Sequence, residues 1–122
     1  MKKVVLVGHC GPDSSYLRMS ISSAVKGVSI LAADDDQELS QVLGDEVDLL
    51  LFNRELGYGF TDTEGVKVIQ RLRASNPKFK MMLVSNYPEA QAAATAAGAL
   101  PGFGKRELGS KRVTELLRSA LA

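Results

Sequence analysis

The sequence predicts an α/β domain of (βα)5 element order, doubly wound about a five-stranded parallel sheet. Three observations carry this. Asp48-Leu49-Leu50-Leu51-Phe52-Asn53 is a short apolar run entered from the polar turn Gly44-Asp45-Glu46 and left at Asn53. A run this short and without alternation reads as a strand buried on both faces, the mark of a central parallel strand. Shorter or longer apolar runs recur at Val4–Val7, Val28–Ala32, Lys80–Ser85 and Leu100–Gly104, with helix-period segments between them. Those helical segments are stopped by Gly27, Gly44, Asn76-Pro77 and Gly98. Strands alternating with helices and joined by right-handed crossovers place helices on both faces of the sheet.

In chain order, Val4–Val7 is the first strand and ends at Gly8-His9-Cys10-Gly11-Pro12-Asp13. Asp13 is expected to cap a helix through Tyr16, Leu17, Met19, Ile21, Ala24 and Val25, with Gly27 as its stop. Val28–Ala32 then runs into Asp34-Asp35-Asp36, where Asp35 and Glu38 have capping-box spacing for a short helix carrying Leu39, Val42 and Leu43. After the central strand, the loop Leu56–Thr63 leads to a helix for which Thr61 and Glu64 again have capping-box spacing. Val66, Val68, Ile69 and Leu72 give that helix its apolar stripe. Pro88 opens an alanine-rich helix. Leu100–Gly104 is expected as a fifth strand, weakened by Pro101 and Gly102. The last helix, Ser110 to Leu121, turns Val113, Leu116, Leu117, Ala120 and Leu121 inward.

Length and composition bound the rest. A chain of 122 residues is expected to form one domain, burying about 65% of its unfolded surface. Hydrophobic residues make up 45% and charged residues 24%, the proportions of an ordinary globular protein. The net charge of +1 has its signs interspersed, so no basic footprint points to nucleic acid. The single cysteine excludes an internal disulfide and fits a reducing cytoplasm. Lys2-Lys3 ahead of Val4–Val7 is no signal peptide, because the apolar run stops at Gly8. No apolar stretch approaches the roughly 20 residues that span a bilayer, so no membrane partner is expected.

In open α/β sheets the site lies at the carboxyl ends of the strands, which here brings forward Asn53. "VDLLLFN" resembles the third strand of the receiver (CheY-like) domain of bacterial two-component response regulators. "MMLVSNYPEAQAAATAAGALPGFGK" resembles that family's fourth strand, fourth helix and fifth strand, with Ser85 at the switch Ser/Thr and Lys105 at the lysine. Gly65 resembles the glycine opening the third helix. The resemblance covers essentially the whole chain and implies a flavodoxin-like sheet of strand order 2-1-3-4-5.

It also implies what is missing. An active receiver of this family uses a carboxylate at the end of the third strand as nucleophile, with two acids at the end of the first strand holding Mg²⁺. Here the nucleophile position is Asn53, whose amide forms no acyl phosphate, and the acidic pair is Gly8-His9, which offers Mg²⁺ no hard oxygen side chain. Arg106 replaces the proline after the lysine, Gly102 falls at the aromatic switch position, and the loop after the third strand is about four residues longer. The implied protein is a pseudo-receiver: not an enzyme, without metal or cofactor, signalling in the cytoplasm through contact with another signalling protein.

Several side chains carry two readings. Ser85 and Lys105 bind a phosphate-like anion or merely close strand ends. His9 beside Cys10 offers metal-ligand types, but adjacent residues point to opposite sides of a strand and there is no second histidine. Asp34, Asp35 and Asp36 replace the missing acids or only cap and solvate. Glu55 reaches the pocket, although its longer side chain and different origin displace the reacting oxygen. Asp48 lies at the opposite end of its strand, and Cys10 reads as a small, partly buried hydrophobe. Tyr58 and Phe60, on a glycine-bearing loop, are a partner-docking surface or core plugs of a structural loop. The face of Ala93, Ala97 and Phe103 is a second such surface, across which a second copy of the chain can pair, or its alanines only permit close packing on the sheet. A carboxylate at position 53 would lie near Lys105 and leave stability unchanged or improved. A separate reading is a flavodoxin-like small-molecule or nucleotide binder using the Gly8–Asp13 and Tyr58–Phe60 loops.

Overall fold

The computed structural model describes residues 1–122. Its elements are β1 (Lys3–Val7), α1 (Gly11–Ala24), β2 (Ser29–Ala33), α2 (Asp36–Leu43), β3 (Leu49–Asn53), α3 (Gly65–Ser75), β4 (Met81–Val84), α4 (Pro88–Ala96) and α5 (Lys111–Ala120), with a single 3-10 turn at Lys105–Glu107. The sheet is parallel and four-stranded, in the order β2-β1-β3-β4. Alternation along each strand divides the core in two. Val5, Val7, Leu50, Phe52, Met81 and Leu83 pack under α2, α3 and α4. Val4, Leu6, Leu49, Leu51, Met82 and Val84 pack under α1 and α5. Every residue from Leu49 to Phe52 is at most 1% exposed, which is why this run shows no polar alternation.

The expected fifth strand does not form. Of Leu100–Gly104, Phe103 alone makes a bridge, to Val84, while Leu100 N–H donates to Met81 O at 2.8 Å and Ser85 N–H to Phe103 O at 2.9 Å. Two causes act together. Pro101 has no N–H to give a ladder. The side chain of Gln91, from α4, also donates through Nε2 to Leu83 O, Ser85 O and Phe103 O, at 2.8, 3.1 and 3.3 Å. A side-chain amide thus stands in the border that a fifth strand would close.

The helix ends differ in detail from the sequence reading. Cys10, not Asp13, is the N-cap of α1, and Asp13 lies in its first turn; the helix ends at Ala24, before Gly27. Tyr16 and Met19 point outward, 63% and 67% exposed. Asp35 does cap α2, accepting from Glu38 N–H at 2.7 Å, but Glu38 reaches back to Asp34 N–H rather than Asp35. Thr61 and Glu64 make no box. Glu64 precedes α3 without a side-chain cap, and Thr61 N–H and Oγ1 both bond Asp36 Oδ2 at 2.8 Å. Ser110 caps α5 through Val113 N–H.

β2 is the outer strand on one side. Arg18 of α1 extends over that side and donates to Ile30 O at 3.1 Å. No helix is long and apolar enough to cross a membrane.

Candidate functional site

The strand order places β1 beside β3, so the chain reverses direction of winding between them and opens a crevice at their carboxyl ends. Asn53 stands at the end of β3 in that crevice. Its Nδ2 donates to Gly8 O at 3.1 Å and to Glu55 O at 2.9 Å. The two acceptors fix which end of the amide is nitrogen. They also tie β3 to the turn after β1.

Gly8 has φ +72°, and a Cβ there would lie 2.7 Å from Leu56 Cδ2 and 2.9 Å from Leu56 Cα. Only glycine combines that backbone with so close an approach. Leu56 is itself buried, folded over Gly8 by the long loop after β3. The space in which an acidic side chain at position 8 would extend is therefore filled by hydrocarbon.

His9 turns inward, 7% exposed, and its Nε2 lies 2.9 Å from Leu51 O. A carbonyl accepts only, so Nε2 carries the proton and donates; Nδ1 is buried without a partner. Burial is the main reason its pKa falls to about 4, with nearby Lys105 acting in the same direction and the Leu51 bond opposing. His9 faces the core rather than the rim, and no three His, Cys, Asp or Glu side chains group as metal ligands.

That depression sets a pH dependence. Above the ordinary histidine value near 6.5, His9 is neutral folded and unfolded, and its environment costs nothing. As pH falls from about 6.5 to 4, the unfolded chain takes up a proton that the folded chain refuses, so stability declines. The loss from this one group is expected to level off at about 3 kcal/mol, at 1.36 kcal/mol per unit. Urea titrations from pH 7 to 4 on the native chain and His9→Gln check this. The variant is expected to lose the extra slope, and parallel slopes would refute the assignment.

Lys105 enters from the 3-10 turn and pairs with Asp13 of α1, Nζ to Oδ2 at 2.5 Å, with the two side chains 33% and 28% exposed. This hydrogen bond is the largest cause holding the Asp13 carboxyl below its usual range. The two residues are 92 apart in sequence, and neither spacing nor motif announces the contact. Ser85 is buried, and its Oγ accepts from Tyr87 N–H at 3.2 Å. An open cleft of about 210 Å³ remains, lined chiefly by Asn53, Arg54, Glu55, Ser85, Asn86 and Lys105. Arg54 lies over the ring of Tyr87 at 4.9 Å across its mouth.

The other candidates are dispersed. Asp35 accepts from Glu38 N–H and Asp36 from Thr61 N–H and Oγ1, and neither lines the cleft. Glu55 lines the cleft with its side chain outward, beside Arg54. Asp48, at the far end of β3, accepts from Lys3 N–H. Cys10 is exposed, not partly buried. Tyr58 is fully exposed at its loop tip, whereas Phe60 is 4% exposed and belongs to the core, which corrects its reading as a docking residue. Phe103 is corrected likewise: at 1% exposed it packs with α1 and α5. Ala93 is exposed and Ala97 half-buried. Neither the Gly8–Asp13 nor the Tyr58–Phe60 loop lines the cleft.

No protein-family model matches the sequence, and no curated protein matches it. Solved structures do match, over nearly the full length. The signal receiver domain of DNA binding response regulator protein (merR) from Colwellia psychrerythraea 34H is 12% identical, with 98% of this chain and 97% of that one covered and a TM-score of 0.76. A response regulator from Thermotoga maritima is 21% identical over 99% and 98%, at 0.74. The beryllofluoride-activated NtrC4 receiver domain dimer is 17% identical over 99% and 97%, also at 0.76. At these identities the likeness is one of fold: the chain has the receiver, CheY-like, fold with an irregular fifth segment.

Proposed function

We propose that this chain is a receiver-like signalling domain that works by protein contact, without phosphoryl transfer. The observation that carries this is Asn53, whose amide nitrogen is committed to two backbone carbonyls at the position where the fold would carry a nucleophile. Leu56 over Gly8 and the Asp13–Lys105 pair support it further, since one fills the space of a metal-binding acid and the other occupies the cation. The protein is not an enzyme on this reading. Its partner is another signalling protein, met through exposed side chains such as Tyr58 and Ala93. A second copy of the chain is the simplest alternative partner, and sedimentation at increasing concentration distinguishes the two.

Acetyl phosphate or beryllofluoride with Mg²⁺ is expected to leave the mass and amide shifts of the chain unchanged. Mg²⁺-dependent shifts clustered about Asn53 would overturn the proposal. Asn53→Asp is expected to remain unphosphorylated and, contrary to the sequence expectation, to be less stable. A carboxylate there sets oxygen against the carbonyls of Gly8 and Glu55, while Lys105 is already held by Asp13. Two hydrogen bonds of about 1 kcal/mol each are lost. Denaturant unfolding at pH 7 measures this, and equal or greater stability of the variant would contradict it.

A further inference from the structure

The border between β4 and the segment Leu100–Gly104 holds a device that the proposed function does not use. Gln91 Nε2 has two hydrogens and three carbonyls around it: Leu83 O and Ser85 O on β4 and its exit, and Phe103 O on the neighbouring segment. Acceptors on every side leave one assignment of the amide. Gln91 Oε1 is buried and unpartnered, and a Cβ on Gly102 would lie 2.8 Å from it and 2.2 Å from Leu83 O. The carboxamide therefore occupies the space that any side chain at position 102 would need. Arg112 of α5 donates to Gly102 O at 3.0 Å, and Ser85 Oγ is engaged by Tyr87 N–H. The main chain around this point is held from α4, from α5 and from β4, although it has almost no ladder of its own.

We propose that Gln91 is a conformational pin: its carboxamide holds the exit of β4, α4 and the Gly102–Gly104 segment in one arrangement. The face made by α4, this segment and α5 is then presented in a single form, whatever occupies the cleft at Asn53. The inference deepens the reading of a domain with no covalent switch and rests on it for its biological sense. Its physical content is separate and is measured without phosphate donor or partner.

If the amide is removed, Leu83 O and Ser85 O lose this donor, and Phe103 O keeps only Ser85 N–H, so the hold from α4 is lost and those from Arg112 and β4 remain. Amide hydrogen exchange and relaxation dispersion on the full chain test this, comparing the native protein with Gln91→Ala and with Gln91→Met, which keeps length and burial. In the native chain Ser85 and Leu100 are expected to exchange nearly as slowly as Leu50, and residues 83–104 to show flat dispersion. In both variants exchange at Ser85 and Leu100 is expected to rise at least about five-fold, the effect of one net hydrogen bond of about 1 kcal/mol. Leu50 is expected to be unchanged, and dispersion to appear in residues 83–104. Unchanged exchange at Ser85 and Leu100 overturns the proposal. So does an equal rise at Leu50, which would make Gln91 a contributor to global stability only. Dispersion across residues 83–104 in the native chain would overturn it as well. A phosphorylatable chain with a working pin, or an inert chain without one, separates this inference from the function on which it rests.

Discussion

Phe60→Ala is expected to destabilise the chain by about 3–5 kcal/mol, the range for deleting a buried aromatic ring. Phe60 lies in the cluster under α2, α3 and α4 with Ala33, Leu39 and Leu56. Its surroundings have little freedom to collapse into the cavity. Asp36 N–H donates to Gly59 O at 3.0 Å, and Thr61 is bonded twice to Asp36, so the loop is fastened to the start of α2 on both sides of the ring. Tyr58, two residues earlier, is the control. It is fully exposed, and Tyr58→Ala is expected to stay within about 0.5 kcal/mol of the native chain. Partner affinity should respond in the opposite order. Loss of the Tyr58 ring is expected to weaken binding by about 1–3 kcal/mol where the loop anchors the contact. Urea unfolding of the two variants decides the stability half, and equal stability for both would mean that the ring of Phe60 is not the plug described.

Gly8→Asp is the second large effect. The substitution looks like restoration of a metal-binding acid, yet the backbone forbids it twice. At φ +72° a non-glycine residue costs about 1–3 kcal/mol. The Cβ then meets Leu56 at 2.7 and 2.9 Å, one of these contacts being to main chain, so rotating a side chain does not relieve it. Forcing atoms into a filled space costs about 1–3 kcal/mol more. The sum is about 2–6 kcal/mol, and Gly8→Ala should show most of it, because the obstacle is steric rather than electrostatic. Combined with Asn53→Asp, the variant is expected to gain neither Mg²⁺ affinity nor phosphorylation by acetyl phosphate. A Gly8→Asp chain as stable as the native one would show that Leu56 yields easily, and would remove a principal support for the proposed function.

The sheet and the place of the cleft were legible because both follow from local pattern. Leu49–Phe52 announces a doubly buried strand, and the polar residue that ends it, Asn53, must then stand at the carboxyl edge. What escaped depends on contacts across the chain. Nothing local tells which of Tyr58 and Phe60 turns inward, since both sit on the same loop and the choice is made by the packing of Ala33 and Leu39. Pro101 hinted at a poor fifth strand, but the amide that takes its place comes from α4. Asp13 has the type and position of a helix cap, and its partner Lys105 is visible only once α1 and the 3-10 turn are adjacent. Gly8 was readable as the absence of an acid. That a leucine fills the gap required knowing where the longer loop goes.

The guanidinium of Arg18 over β2 bears on what the outer edge of the sheet offers to a foreign strand. An outer strand exposes main-chain donors and acceptors on which a foreign strand can grow, the first step of edge-to-edge association. Pairing of Ser29, Leu31 and Ala33 toward β1 leaves only Ile30 and Ala32 of this five-residue strand turned outward, and Arg18 already holds the Ile30 carbonyl under a fixed positive charge. Such an edge is a poor template. Recognition by added strand is thereby disfavoured along this side of the sheet.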